Sequence, residues 1–163
     1  MNQEERIRFE SDEQAVEKVE ESILTHYLLV YLNNEKYLIN LAIISKIINP
    51  LEIFPLPDTL PFVSGVSNFA GEIVPIVDLK KALKLPDQGL YADRKFVICK
   101  FQEIKVGFTV DKVIDSREID SSKIKTDTTR VLENEFISGE YIHEKEVLGV
   151  VDIIKFIETY KAD

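Results

Sequence analysis

Two aspartates, Asp78 and Asp111, are the residues of this chain whose type and setting come nearest to catalytic chemistry. Asp78 ends the apolar run EIVPIVD, and Asp111 interrupts the run VGFTVDKV. Paired carboxylates carry out glycosidic and peptide hydrolysis, so the two define a candidate acid–base pair. Each also has a simpler structural role: Asp78 precedes a predicted helix as its N-cap, and Asp111 alternates with apolar residues as a solvent-facing strand position does. We favour the structural roles and keep a small β-barrel hydrolase or ligand-binding domain as the alternative function.

The other reactive side chains do not form a recognisable site. Cys99 lies in the apolar run FVIC, which indicates a small core residue rather than a nucleophile activated by His143. The chain has two histidines, His26 and His143, and no Cys-x-x-Cys or His-x-x-x-His spacing, so no metal site is predicted. Its six glycines are scattered singly, which leaves nucleotide binding without a motif. We expect neither a metal nor a cofactor.

Composition bounds the class of protein. The chain has 163 residues, about the size of one domain, with 45% hydrophobic and 30% charged residues. A net charge of -9 repels nucleic acid and anionic membrane surfaces, so we expect no nucleic-acid partner. No apolar run is long enough for a membrane span, and the first residues, MNQEERIRFE, lack the apolar region of a signal peptide. These features predict a cytoplasmic protein without membrane insertion.

The first 23 residues differ from the rest of the chain. Residues 1–22 carry eight acidic and three basic residues, a net charge of -5. The segment Ser11-Asp12-Glu13-Gln14 has capping-box spacing, and apolar residues follow at helical intervals. An acidic N-terminal tail and a short amphipathic helix are both open for residues 1–23, and residues 24–163 form the predicted domain.

Apolar runs rich in Leu, Ile, Val and Tyr predict a series of short strands after residue 23. A polar turn, Asn33-Asn34-Glu35, joins the first two as a hairpin, and four prolines between residues 50 and 61 predict an extended connection. The fold class is therefore all-β with short helices, a barrel or a sandwich. The predicted strands are HYLLVYLN (26–33), EKYLINL (35–41), FVSGVSNFA (62–70), EIVPIVDL (72–79), RKFVICKF (94–101), IKVGFTVDKVID (104–115) and a last pair within 135–153.

Less regular segments complete the secondary structure. Residues 42–49 are predicted to form a helical turn that runs into a strand. Pro75 cannot donate to a strand ladder, so its strand is predicted to lie at a sheet edge or to be bulged there. Residues 116–135 are mostly polar and are predicted to be loop. Short helices are predicted over residues 78–86 and after Asp152.

The segment GVSNFAGEIVPIVDL (65–79) resembles the signature of the CheW family of chemotaxis adaptors, Gly-Val-x-Asn-Leu-Arg-Gly-x-x-x-Pro-x-x-Asp-Leu. Stretches similar to the family follow one another in the expected order over most of the chain from residue 24 to about residue 160, among them FPLPDTLPFVSG, VGFTVDKV and the closing segment ISGEYIHEKEVLGVVDIIKFI. The signature positions matched here are Gly65, Val66, Asn68, Gly71, Pro75, Asp78 and Leu79.

The resemblance implies a CheW-like fold of two intertwined, SH3-like, five-stranded β-barrels without an active site. It implies a non-catalytic scaffold that couples chemoreceptors, the methyl-accepting chemotaxis proteins, to the histidine kinase CheA. The implied partners are the regulatory domain of CheA and the cytoplasmic tip of a receptor. By itself the protein is then a monomer, and it takes part in a signalling array at the inner face of the membrane or with cytoplasmic receptors.

The resemblance also implies which residues meet these partners. The receptor tip is expected in a groove between the barrels, and Lys125 lies in a loop expected to touch the kinase. For Ile47 and Val113, a place in a barrel core remains as open as a place in the groove, while Gly65 and Gly71 are expected to form a bulge and a turn. The expected groove residues are Ile44, Lys46, Ile47, Gly65, Asn68, Ala70, Gly71, Gly107 and Val113.

Two groove positions depart from the family pattern. Lys46 stands where the family has glutamate, and Ala70 stands where it has arginine. The resemblance implies that these positions lie close together with pairing charges. Because Lys46 would repel an arginine, the change to Ala70 looks compensatory. We expect a groove that prefers an acidic or uncharged receptor residue, with neutral drift at both positions as the alternative.

Overall fold

The structure is a computed structural model that describes residues 23–89 and 91–161. The acidic tail or helix predicted for residues 1–23 lies outside this part of the chain, except for Ile23. The ten strands of the described residues are β1 (Leu24–Leu32), β2 (Glu35–Asn40), β3 (Ile44–Ile48), β4 (Val63–Phe69), β5 (Glu72–Asp78), β6 (Lys95–Phe101), β7 (Ile104–Val110), β8 (Lys112–Asp120), β9 (Ile137–His143) and β10 (Glu146–Val151). The short helices are α1 (Leu79–Ala82), α2 (Thr129–Glu133) and α3 (Ile153–Tyr160), with 3-10 turns at Leu41–Ile43 and Ser121–Lys123.

The strands form two five-stranded sheets, and each curls into a small barrel. Barrel one has the strand order β8-β1-β2-β10-β9, and barrel two has the order β3-β6-β7-β5-β4. Barrel two is a continuous insertion between β2 and β8, so the chain passes between the barrels at two crossovers. The first crossover is the 3-10 turn Leu41–Ile43, and the second is the single residue Asp111. The predicted pair of intertwined SH3-like barrels is confirmed.

Each barrel closes through one isolated bridge beside a glycine. Phe54 pairs with Val66 in barrel two, and Lys125 pairs with Glu140 in barrel one. The preceding residues of β4 and β9 are Gly65 and Gly139. A Cβ at Gly65, where φ is +146°, would lie 2.3 Å from the carbonyl oxygen of Phe54, and a Cβ at Gly139 would lie 2.3 Å from Cγ2 of Ile124. The glycines therefore permit the close approach that closes each barrel.

The two barrels repeat one arrangement of strands. The order β3-β6-β7-β5-β4 of barrel two corresponds, strand by strand, to the order β8-β1-β2-β10-β9 of barrel one. Each barrel also has one parallel pair at the equivalent place, β5 with β7 in barrel two and β10 with β2 in barrel one. The repeat is also visible in the sequence, because Gly65 and Gly139 are 74 residues apart and so are Asp78 and Asp152. The patterns of apolar and turn residues did not indicate this repeat.

Apolar side chains fill the space between the barrels and the interior of each barrel. Strand β6 shows the division, because Val97 and Cys99 face a central cluster shared by both barrels while Phe96 and Ile98 face the interior of barrel two. The buried members of the central cluster are Leu28, Val30, Leu32, Tyr37, Ile39, Val77, Leu79, Ala82, Leu83, Val97, Cys99, Val106, Phe108, Val110, Phe136, Ile137, Val151, Ile153, Phe156 and Ile157.

The local predictions have mixed outcomes. The helical turn before β3, the helix after Asp78 and the helix after Asp152 are confirmed. The loop predicted for residues 116–135 is wrong in part, because β8 continues to Asp120 and α2 spans Thr129–Glu133, while residues 124–128 between them lie outside the helices and strands. Strand β8 is polar because it lies at the end of its sheet, where one face of the strand meets solvent.

Pro75 does not lie in an edge strand, because β5 is flanked by β4 and β7. Opposite Pro75, Val66 directs its own backbone N–H and carbonyl to Phe54, so the nitrogen of Pro75 faces away from β4. The pairing of β5 with β7 begins one residue later, at Ile76. The missing N–H therefore costs no ladder hydrogen bond, although the strand is an inner one.

We predict that Gly65→Ala lowers the free energy of unfolding by about 3 kcal/mol, because it combines backbone strain with a clash against Phe54. Gly71→Ala is the matched control: φ is +84° there but nothing lies within 4 Å of the added Cβ. Strain alone should cost about 1 kcal/mol at Gly71. Urea unfolding of both variants measures the difference, and equal costs would contradict the closure role of Gly65.

Candidate functional site

Strand β3 carries three of the predicted groove residues directly after the first crossover. Ile44 is half-buried against the central cluster, whereas Ile47 is 40% exposed. Lys46 is exposed on the same strand and lies opposite Ile98 of β6. Since β3 is the end strand of its sheet, these side chains stand at the margin of barrel two.

Val113 occupies the corresponding place after the second crossover. It lies two residues beyond Asp111, pairs with Val30 of β1 and is half-buried against the central cluster. Ile44 and Val113 thus pack on the same cluster, each next to a crossover. We call Ile44, Lys46, Ile47 and Val113 the crossover surface. For Val113 and Ile44 the structure shows both core packing and partial exposure.

The β4–β5 hairpin contains four more of the predicted groove residues, Gly65, Asn68, Ala70 and Gly71. Ala70 and Gly71 have φ values of 51° and 84°, which are those of a two-residue type I′ turn. Asn68 stabilises this turn by accepting a hydrogen bond from the N–H of Gly71 at 3.0 Å. A shift in strand register lies between Val63 and Gly65, so the predicted bulge and turn are confirmed. The isolated β-bridge between Phe54 and Val66 joins this hairpin to the segment that follows β3.

Two predicted residues have other surroundings. Gly107 faces the interior of barrel two, where an added Cβ would lie 2.7 Å from Cδ1 of Ile76. Its lack of a side chain makes room for Ile76 and Ile98. Lys125 closes barrel one through backbone hydrogen bonds with Glu140, both 2.8 Å long, and its side chain is exposed.

The two candidate catalytic aspartates border one cavity of about 250 Å³, but each carboxylate has a structural partner. Asp78 caps α1 by accepting the N–H of Lys81 at 3.2 Å, which confirms its predicted role. Asp111 is buried, and the prediction that it faces solvent is wrong. Its position between β7 and β8 breaks the strand alternation on which that prediction depended. No observation on these carboxylates favours hydrolysis.

Asp111 has partners that the sequence did not suggest. It accepts the backbone N–H of Asn33 at 2.6 Å and pairs with the ammonium of Lys80 at 3.1 Å. The side chains of Lys80 and Asp111 are 11% and 8% exposed. Because Lys80 lies in α1 and Asp111 lies far along the chain in the connection between β7 and β8, no local pattern indicated the pair.

The prediction of a core position for Cys99 is confirmed. Cys99 is buried in the central cluster, and burial raises the pKa of its thiol to about 12. The described residues contain no group of three His, Cys, Asp or Glu side chains arranged for a metal ion. Within the same part of the chain, no helix has the length and apolar character required to cross a bilayer.

An apolar groove of about 420 Å³ between α3 and the proline-rich connection was also not predicted. Leu60, Phe62 and Tyr160 contribute to its wall, and the rings of Phe62 and Tyr160 meet edge to face at 4.8 Å between centroids. Apolar residues among prolines were the available signal in the sequence.

We predict that Asp78→Ala lowers the free energy of unfolding by about 1 kcal/mol, because α1 loses its N-cap. Asp78→Asn, which retains a capping oxygen, should cost only a few tenths of that. Asp152→Ala removes the equivalent cap of α3, where Asp152 accepts the N–H of Lys155 at 3.0 Å, and should behave like Asp78→Ala. Urea unfolding checks all three, and an undiminished stability of Asp78→Ala would contradict the capping role.

Comparison with known proteins agrees with this arrangement. The family model described as CheW-like domain matches residues 26–161. Chemotaxis protein CheW of Bacillus subtilis is 26% identical over 127 residues, covering 77% of this chain and 81% of the relative. Chemotaxis protein CheW of Klebsiella aerogenes is 29% identical over 143 residues, covering 85% of each chain. The crystal structure of scaffolding protein TtCheW from Thermoanaerobacter tengcongensis has a similar fold, with a TM-score of 0.71 and 23% identity over 78% of this chain and 84% of that one. The chain therefore belongs to the CheW family, whose members are non-catalytic scaffolds in chemotaxis signalling.

Proposed function

We propose that this protein links the cytoplasmic tip of a chemoreceptor to the regulatory domain of the histidine kinase CheA. The observation that carries the receptor contact is the crossover surface, where aliphatic side chains are partly exposed at the seam between the barrels. An amphipathic helix binds by placing apolar anchors against such a surface, with polar residues around it. No reacting group is required for this task.

The kinase contact is proposed for an end of a barrel. The regulatory domain of CheA resembles the CheW fold, so two barrels can pack end to end. Lys125 is an exposed cation beside the bridge that closes barrel one, which makes it available to a partner. In this arrangement the protein works in the cytoplasm, within receptor arrays at the inner face of the membrane or with cytoplasmic receptors.

The charge of the crossover surface suggests a receptor preference. Lys46 is exposed and has no ion pair within the described residues, while Ala70 contributes only a methyl group in the β4–β5 turn. A free cation beside an apolar surface favours an acidic partner residue and disfavours a basic one. We therefore propose that the receptor tip presents an acidic or uncharged residue to Lys46.

We predict that Ile47→Asp weakens binding of a receptor cytoplasmic fragment at least about tenfold, because it places a charge among apolar anchors. Ile142→Asp is the matched control, since Ile142 is also an exposed strand isoleucine, 47% exposed compared with 40% for Ile47. Titration calorimetry with the receptor fragment and with the CheA regulatory domain measures both contacts. Wild-type protein that binds neither fragment would contradict the proposed function.

We also predict that Lys46→Glu combined with Ala70→Arg changes affinity for the protein's own receptor tips by about fivefold, the scale of an exposed ion pair. The preference should move toward tips with a basic residue at the contact. Competition between tips that differ in one charge is the measurement, and Lys36→Gln, on the surface of barrel one, controls for the change of one unit in net charge. Unchanged affinity and preference would favour neutral drift.

A further inference from the structure

A buried ionic network connects the two barrels at the second crossover. Asp111 receives the ammonium of Lys80 on one carboxylate oxygen and the backbone N–H of Asn33 on the other, at 3.1 and 2.6 Å. Lys80 belongs to α1, which follows β5 of barrel two, and Asn33 belongs to the β1–β2 turn of barrel one. Both oxygens of the carboxylate are therefore occupied, each by a different barrel.

The same network holds the neighbouring backbone. The N–H of Asp111 donates to the carbonyl oxygen of Tyr31 at 3.0 Å, which anchors the crossover on β1. The ammonium of Lys80 also donates to the carbonyl oxygen of Gly89 at 3.1 Å, and it lies 5.1 Å from the centre of the Tyr91 ring. The side-chain amide of Asn33 donates to the carbonyl oxygen of Pro86 at 2.9 Å. Segments from both barrels thus converge on two buried charges.

Burial makes the geometry of this pair specific. A carboxylate removed from water is costly unless a cation and hydrogen-bond donors remain in place, so relative movement of the barrels would leave Asp111 without compensation. An exposed ion pair imposes no such restriction, because water replaces the lost partner. The pair therefore favours one relative position of barrel two and the second crossover.

The repeat shows that the fold alone does not require this pair. The residue 74 positions after Lys80 is Ile154, in the equivalent helix, and the first crossover, Leu41–Ile43, has no charged residue. Capping aspartates and closing glycines occur in both halves, but the buried pair occurs in one. A feature present in one of two equivalent places points to a task beyond folding.

We propose that Lys80 is a positioning residue for the receptor-binding surface, acting through Asp111. Asp111 is the whole connection between β7 and β8, and Val113 of the crossover surface lies two residues beyond it. The pair thus determines where β8 enters barrel one and how Val113 is placed relative to Ile44 and Ile47 on β3. This inference rests on the proposed function of the crossover surface.

The test compares Lys80→Met with the double variant Lys80→Met/Asp111→Asn. Lys80→Met keeps the length of the side chain and removes its charge, and Asp111→Asn keeps an acceptor for the N–H of Asn33 without a buried charge. We expect the double variant to recover the stability that Lys80→Met loses. Both should bind the receptor fragment about tenfold more weakly, with unchanged binding of the CheA regulatory domain.

Lys36→Met is the matched control, because Lys36 forms an ion pair with Glu146 at 2.6 Å on the surface of barrel one and is more exposed, with 28% of its side chain accessible. It should leave receptor binding unchanged. A purely structural role for Lys80 predicts that receptor binding returns together with stability in the double variant, and that result would overturn the inference.

A second measurement separates this inference from the proposed function. The NMR methyl signals of Val113 should shift in both Lys80 variants and stay in place in Lys36→Met. If the wild-type protein does not bind the receptor fragment, the proposed function fails, and the methyl signals alone then decide the positioning role. Unchanged Val113 signals in the folded double variant would overturn it.

Discussion

The central apolar cluster is the interaction on which the rest of this structure depends, because both barrels contribute their walls to it. Strand β6 buries Val97 and Cys99 in the central cluster and Phe96 and Ile98 inside barrel two, so both faces of the strand are apolar. Burial of a large aliphatic or aromatic side chain contributes about 1.5–3 kcal/mol. Neither barrel can leave the other without exposing this surface, and the partly exposed residues of the crossover surface are its margin.

The repeated arrangement of strands is visible in the sequence as positions that carry the same residue in both halves. Over the 74-residue offset only some positions are identical, and they include the glycines that shape the backbone and the aspartates that cap a helix. The hairpins also share an ion pair, because Glu72 pairs with Lys105 and its counterpart Glu146 pairs with Lys36. Some core positions differ in size between the halves, such as Ala82 and its counterpart Phe156. The identical pairs include Ser64 and Ser138, Gly65 and Gly139, Glu72 and Glu146, Val77 and Val151, Asp78 and Asp152, and Lys81 and Lys155.

Much of the fold could be predicted from the sequence because strands, turns and caps are local. The hairpins, the turn at Gly71 and the cap at Asp78 each depend on residues close together in the chain. The burial of Asp111 could not be predicted, because its hydrogen bond to Asn33 spans 78 residues. The second half of β8, residues 116–120, was missed for a related reason: a polar end strand has little apolar periodicity, and its partner β1 lies far away in sequence.

The proposed groove could be suggested only through the family resemblance, because aliphatic residues in a binding surface have the same pattern as those in a core. Ile44 and Val113 show why: both pack on the central cluster, and both retain partial exposure. Periodicity reports which face of a strand is apolar, but not whether a neighbour from the same chain covers that face.

A comparison of the two halves of the molecule helps to separate residues that the fold requires from residues that are available for binding partners. Features found in both barrels, such as the closing glycines and the capping aspartates, answer the demands of the fold. Some residues differ in chemical type across the repeat, such as Lys80 compared with Ile154 and Ala70 compared with Glu144. The fold that both halves share does not require them. In a non-catalytic scaffold protein, partner binding depends on the relative position of rigid parts and on a few exposed side chains. Under the proposed function, the buried pair at the second crossover would meet the first of these requirements, and Lys46 beside the aliphatic residues of β3 would meet the second.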